Sequence, residues 1–182
     1  MQFGMSEQDW MSCPNSKPLM QFLQTQKVSD RKLTMYGMAC CRRNWDKFDE
    51  VMRKHVEDWE LFAEGLISRE ALHASVPECW SDPVDLAWDM ASGEEGRVQA
   101  VLVREVFGNP FHLVTCSPQW RTESVIALAT AIYAEHAFDR MPILADALQE
   151  SGCDNDDILT HCRGPGPHVR GCWVVDLVLG KE

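Results

Sequence analysis

Several signals of familiar protein classes are missing from this sequence. Gly (11) and Pro (9) are too few in 182 residues for a collagenous or disordered chain. No long apolar run occurs. The longest nearly uncharged stretch, Val125 to Ala134, is about half the ~20 residues of a membrane helix, so no membrane span is expected. The opening MQFGMSEQDWMSC meets acids before an apolar segment can form, so no secretory signal is expected. Hairpin turns, alternating apolar runs and internal repeats are absent, which argues against a β architecture. No C-x-x-C pair exists, which removes the zinc-ribbon and thioredoxin signatures. H-E-x-x-H, G-x-S-x-G, G-x-G-x-x-G, a P-loop and an EF-hand are also missing, and no catalytic signature marks the chain as an enzyme.

Tyrosine is scarce, at two residues, against seven Trp and eight Cys. Without a secretory signal, eight Cys point to a reducing cytoplasm, where thiols serve as core residues, metal ligands or redox groups. The 45% hydrophobic content is enough for one sizeable core, and residues 1–182 read as a single helical domain.

The periodicity is helical almost throughout. Ser6, Ser16, Ser29, Ser68, Asp82, Ser92 and Thr122 each precede an apolar face at helical spacing, and Pro18, Pro83 and Pro142 stand at helix starts. Helices are expected from Asp30 towards Trp45, from about Asp46 to Glu64, from Ser92 to Phe107, and from Asp154 to Cys162. Gly65, Gly108 and Gly152 mark stops, and the Ser75-Val76-Pro77 stretch ends a short helix. Residues 108–121 form the longest irregular segment. The last element, from Gly171 or Cys172 to Leu179, fits either a helix or a strand. The expected fold is an all-α irregular bundle of about nine short helices around one core, with most Trp, Met and Cys filling helix junctions.

The net charge is −11, a poor basis for non-specific nucleic-acid binding, so nucleic acid is a disfavoured partner. The charge is uneven, however. Residues 31–54 carry seven bases (Arg31, Lys32, Arg42, Arg43, Lys47, Arg53, Lys54) against three acids (Asp46, Asp49, Glu50). Arg42, Arg43 and Lys47 are therefore a candidate surface for an acidic protein partner. The alternative is that such faces pair within the fold.

Chemistry concentrates at His161-Cys-Arg-Gly-Pro-Gly-Pro-His168-Val-Arg-Gly-Cys172-Trp173. Its Gly/Pro run imposes a tight excursion between two helices and draws both flanks together. Cys162, His168 and Cys172 are candidate metal ligands, with Cys153 or His161 as a fourth. Zinc accepts such mixtures of thiolate and imidazole, although the spacing matches no standard finger. The same turn is a candidate anion pocket, with Arg163, His168 and Arg170 around backbone N–H groups. In the third reading the Arg side chains pair with acids such as Asp157 and Asp176, and the Cys are buried. Elsewhere, vicinal Cys40-Cys41 before Arg42-Arg43 is a candidate low-pKa thiol pair. Glu70-x-x-His73 has di-iron spacing but occurs once, and Asp154-Asn-Asp-Asp157 reads as a helix start rather than a calcium loop.

DRKLTMYGMACCRR (30–43), FGNPF (107–111), AFDRMPILADAL (137–148) and HCRGPGPHVRGCWVVDLVLGKE (161–182) resemble segments of a bacterial family of hypothetical proteins. The resemblance covers most of the chain from about Glu7, more loosely over 50–95, and implies no fold, substrate or cofactor. Two functions are expected from the residues themselves. One is a small intracellular interaction or regulatory module, and the other is a metal- or anion-binding enzyme or sensor centred on 161–173.

Overall fold

Short polar side chains start most of the helices, as their positions ahead of apolar faces imply. A computed structural model describes residues 4–75 and 82–181, and among these are eleven α-helices, three 3-10 turns and no strand. The helices are α1 (Glu7–Ser12), α2 (Ser16–Leu23), α3 (Asp30–Arg43), α4 (Glu50–Ala63), α5 (Arg69–Ser75) and α6 (Pro83–Met90), followed by α7 (Gly93–Phe107), α8 (Glu123–Glu135), α9 (Met141–Glu150), α10 (Asp156–Arg163) and α11 (Trp173–Leu179). The fold is all-α. Ser6 and Asp9 form a reciprocal capping box, and Ser29, Asp82 and Thr122 accept backbone N–H groups at their helix starts. None of the helices among the described residues is long and apolar enough to cross a membrane.

Several boundaries differ from expectation, among them the start of α10 at Asp156 rather than Asp154, and three do so for visible local reasons. Asn15 caps α2, because the Ser16 hydroxyl is buried and donates to Gln99 Oε1. Trp45 leaves α3, since the Asn44 amide turns back to donate to the Cys40 carbonyl and a 3-10 turn follows at Trp45–Lys47. The next helix then starts at Glu50, where Asp49 caps it, rather than at Asp46. The last element is a helix: Val174, Val175 and Val178 share its buried face, and Gly180 ends it at a left-handed φ of 68°. The stop at Val76-Pro77, and Cys79, lie outside the described residues.

The core is not one cluster. One group of buried side chains comes from α8 to α11 and includes Ile132, Leu144, Leu148, Ile158 and Val175. A second joins α1, α2, α3, α6 and α7 around Trp10, Leu19, Met35 and Val103. A small third group, Met38, Cys41 and Val56, lies beneath Trp45 and Trp59. Trp10 is fully buried with its indole N–H on the Gly108 carbonyl, in line with the expected packing role.

Polar pairs cross the seam between the two large clusters. Asp176 of α11, 1% exposed, receives Arg31 and Lys32 of α3, both at 2.8 Å. Lys32 Nζ also donates to the carbonyls of Val106 and Gly171, each at 3.0 Å. Gly171 (φ +92°) presses so closely on α3 that an added Cβ would lie 2.7 Å from Met35 Cβ. These contacts seat residues 164–172 between α3 and α7.

A candidate metal centre at the seam

Four side chains meet where the Gly/Pro turn crosses α7. The apolar residues Leu102, Val103 and Val106 bury α7, and they carry Glu105 inward with them to 5% exposure. Helix α10 orients Cys162 into the C-terminal cluster, and the residue before it, His161, emerges at the seam. The 164–167 turn returns the chain to His168, and a further turn, closed by Cys172 N–H on the Val169 carbonyl, leads into α11. Cys172 stands just ahead of that helix with no exposure.

One ligand-capable atom from each of Glu105, His161, His168 and Cys172 lies within 4.8 Å of all the others. His161 Nε2 is 3.2 Å from Cys172 Sγ and 3.3 Å from Glu105 Oε2. His168 Nδ1 is 3.2 Å from both Glu105 oxygens. This Glu/His/Cys group can hold a metal ion. Tetrahedral bonds of ~2.0–2.3 Å to nitrogen, oxygen and sulfur imply ligand–ligand edges of about 3.4–3.6 Å, slightly longer than these separations.

Hydrogen-bond partners fix the role of each ring nitrogen. His168 faces a carboxylate through Nδ1 and the Gly164 carbonyl, at 3.4 Å, through Nε2. Both partners are acceptors, so this arrangement favours the protonated form of His168, in which both ring nitrogens donate. Burial pushes the His168 pKa down, but the hydrogen bond and charge of Glu105 more than reverse this and raise it. His161 differs. Burial lowers its pKa against the opposing pull of Glu105, which favours the neutral ring. Its Nδ1 accepts the Trp173 indole N–H at 3.1 Å. Burial, reinforced by Glu105, raises the Cys172 thiol well above the ordinary range. An isolated nucleophilic thiolate is therefore disfavoured there. A cation in the centre would supply the charge that stabilises one.

The expected metal set is thus partly assembled. His168 and Cys172 meet, and His161 joins them. Cys153 and Cys162 are packed in the C-terminal core cluster alongside Cys172 but are not part of the converging group, and burial raises the Cys162 thiol to about 12. Glu105 was not expected. Its signal in the sequence is a single acid inside the apolar V-L-V-R-E-V-F run, a pattern that an exposed helix face also produces.

The anion trio does not converge. Arg163 donates outward to Asp146 at 2.9 Å and to Gln149 at 2.7 Å, His168 is held by Glu105, and the Arg170 guanidinium lies over the Tyr133 ring at 5.0 Å. Internal pairing had been expected for Arg163 with acids such as Asp157 or Asp176, and its partner is Asp146. On the basic face, Arg42 makes two bonds to Glu60 and stacks on Trp45, Arg43 is 3.4 Å from Glu95, and Lys47 donates to Asn44. Cys40 and Cys41 are both fully buried, in two different clusters, and burial raises both thiols, Cys41 to about 12. They are packing residues rather than a low-pKa pair. Asn155 caps α10, with Asp156 and Asp157 in its first turn, so that acidic run is a helix start.

A cleft of about 190 Å³ reaches three members of the quartet, while Cys172 lies buried behind them. Glu105, His161 and His168 form its floor, with Arg104 and Gly164-Pro165-Gly166 as walls. Comparisons with family models, curated proteins and solved structures return no match, so the chemistry of the site rests on its own geometry.

Proposed function

We propose that this is a metal-binding protein whose centre is the Glu105, His161, His168 and Cys172 quartet, with zinc as the resident ion. The observation that carries this reading is the convergence of four ligand-capable atoms within 4.8 Å, from three separate parts of the chain. Nitrogen, thiolate sulfur and one carboxylate oxygen are the donor mixture that suits zinc. His168 has the support typical of a ligating imidazole, because its Nε2–H is directed at the Gly164 carbonyl while Nδ1 faces the centre.

The location gives the ion a structural consequence. Glu105 belongs to the helix that packs in the N-terminal cluster, and Cys172 to the C-terminal cluster. An ion bonded to both ties the two together, so metal binding adds to folding stability. The partner-docking reading has less support, since Arg42, Arg43 and Lys47 each have a partner within the chain.

Metal analysis of protein purified without chelator tests the proposal. About one equivalent of zinc is expected, with loss in both Cys172→Ser and His168→Gln. Less than about a tenth of an equivalent in the wild type, persisting after incubation with zinc, rejects it.

A further inference from the structure

Metal centres divide into those closed by four protein ligands and those that keep a position for an outside ligand. The quartet has enough side chains for the first kind. One hydrogen bond argues for the second. Trp173 Nε1–H is only a donor, and it is directed at His161 Nδ1 at 3.1 Å. Nδ1 is therefore an acceptor, and a neutral imidazole accepting there carries its hydrogen on Nε2. Nε2 is the nitrogen that faces Cys172 and Glu105. A ligand nitrogen must present a lone pair, whereas this one presents an N–H.

Within the metal reading above, we infer that Glu105, His168 and Cys172 bind the ion, and that its fourth position opens to the cleft and takes a small anion, to which His161 donates. Three features support the anion. The cleft, about 190 Å³, has room for roughly six waters at ~30 Å³ each, which suits a group of a few heavy atoms. Its lining includes Arg104, whose guanidinium donates to the carbonyls of Trp10, Cys13 and Ala100 and, among the described residues, to no carboxylate. His161 is the most exposed side chain of the three on the floor, at 17% against 7% for His168 and 4% for Glu105. It is thus the one best placed to meet an incoming group.

The inference is tested by loading the full chain with cobalt(II) and titrating with thiocyanate while following the visible spectrum. Wild-type protein should bind one cobalt and show a saturable spectral change with thiocyanate. His161→Gln should keep cobalt affinity within about a hundredfold of wild type, as for loss of a supporting rather than ligating group. It should lose most of the thiocyanate affinity, whereas His168→Gln and Cys172→Ser take up no cobalt. Trp173→Phe is a second variant that leaves the quartet intact. It frees Nδ1 to carry the hydrogen and Nε2 to ligate, so cobalt should still bind while the thiocyanate response disappears. Loss of cobalt from His161→Gln to the same extent as from His168→Gln would overturn the inference, as would a wild-type spectrum unmoved by thiocyanate. Either result leaves the metal reading standing. Failure of the wild type to bind cobalt at all removes both.

Discussion

Glu105 and His168 are placed to form a buried ion pair when His168 is protonated, and Glu105→Gln is the sharpest test of it. Their side chains are 4% and 7% exposed, so water screens them little. Breaking a buried pair by removing one partner costs about 3–5 kcal/mol when the other charge must stay. His168 has an escape, because burial alone favours its neutral form and it can release its proton once Glu105 is gone. The loss should therefore lie towards the lower end, about 2–4 kcal/mol. For a chain of this size that is a fall in Tm of roughly 6–12 °C. His168→Gln should cost a similar amount. The double variant should fall short of the sum by about 1.5–3 kcal/mol, the range for hydrogen bonds to charged groups. The assay is urea unfolding of chelator-treated protein, with tryptophan fluorescence and far-UV circular dichroism required to coincide before two-state energies are drawn. A coupling below about 0.5 kcal/mol would refute the ion pair and the cationic form of His168 with it.

Two further outcomes follow from neighbouring contacts. Gly171→Ala places a Cβ against Met35 Cβ and forces an L residue into φ +92°, so it should cost about 2–5 kcal/mol in urea unfolding and weaken metal uptake by displacing Cys172. Glu64 gives a pH signature: burial acts to raise its pKa, but hydrogen bonds from Lys181 and Tyr133 and the charge of Arg31 lower it overall. A depressed carboxylate stabilises the fold above its ordinary value of 4.5 and loses that contribution as pH falls through the folded value. The Tm gap between wild type and Glu64→Gln should thus be widest near neutrality and close in acid, and a gap independent of pH would contradict this.

Helix starts were legible because they are local. Ser6, Ser29, Asp82 and Thr122 cap helices through side-chain oxygens only two or three residues from the N–H groups they accept. The boundary at Trp45 was not legible, because the Asn44 amide that ends α3 can be seen only once its bond to the Cys40 carbonyl is formed. The division of the core into two large clusters has no periodic signature either. Both halves are equally helical, and the seam depends on long-range pairs such as Arg31 with Asp176. The site shows the same limit. The Gly/Pro turn announced that His161, His168 and Cys172 would approach one another, since the chain between them is short. Glu105 arrives from a helix more than fifty residues earlier, and nothing in its own neighbourhood distinguishes it from a solvated acid. Cys162 and Cys153 were credible ligands by residue type. The direction in which α10 faces its apolar side sends Cys162 into the core and leaves His161 at the seam.

The composition of the metal's first shell tests the central claim most directly. X-ray absorption at the zinc edge of metal-loaded protein should give one sulfur at about 2.3 Å, with the remaining ligands nitrogen or oxygen at about 2.0–2.1 Å. A shell without sulfur, or one with two or more sulfurs drawn from Cys153 or Cys162, would contradict the assignment of Glu105, His168 and Cys172.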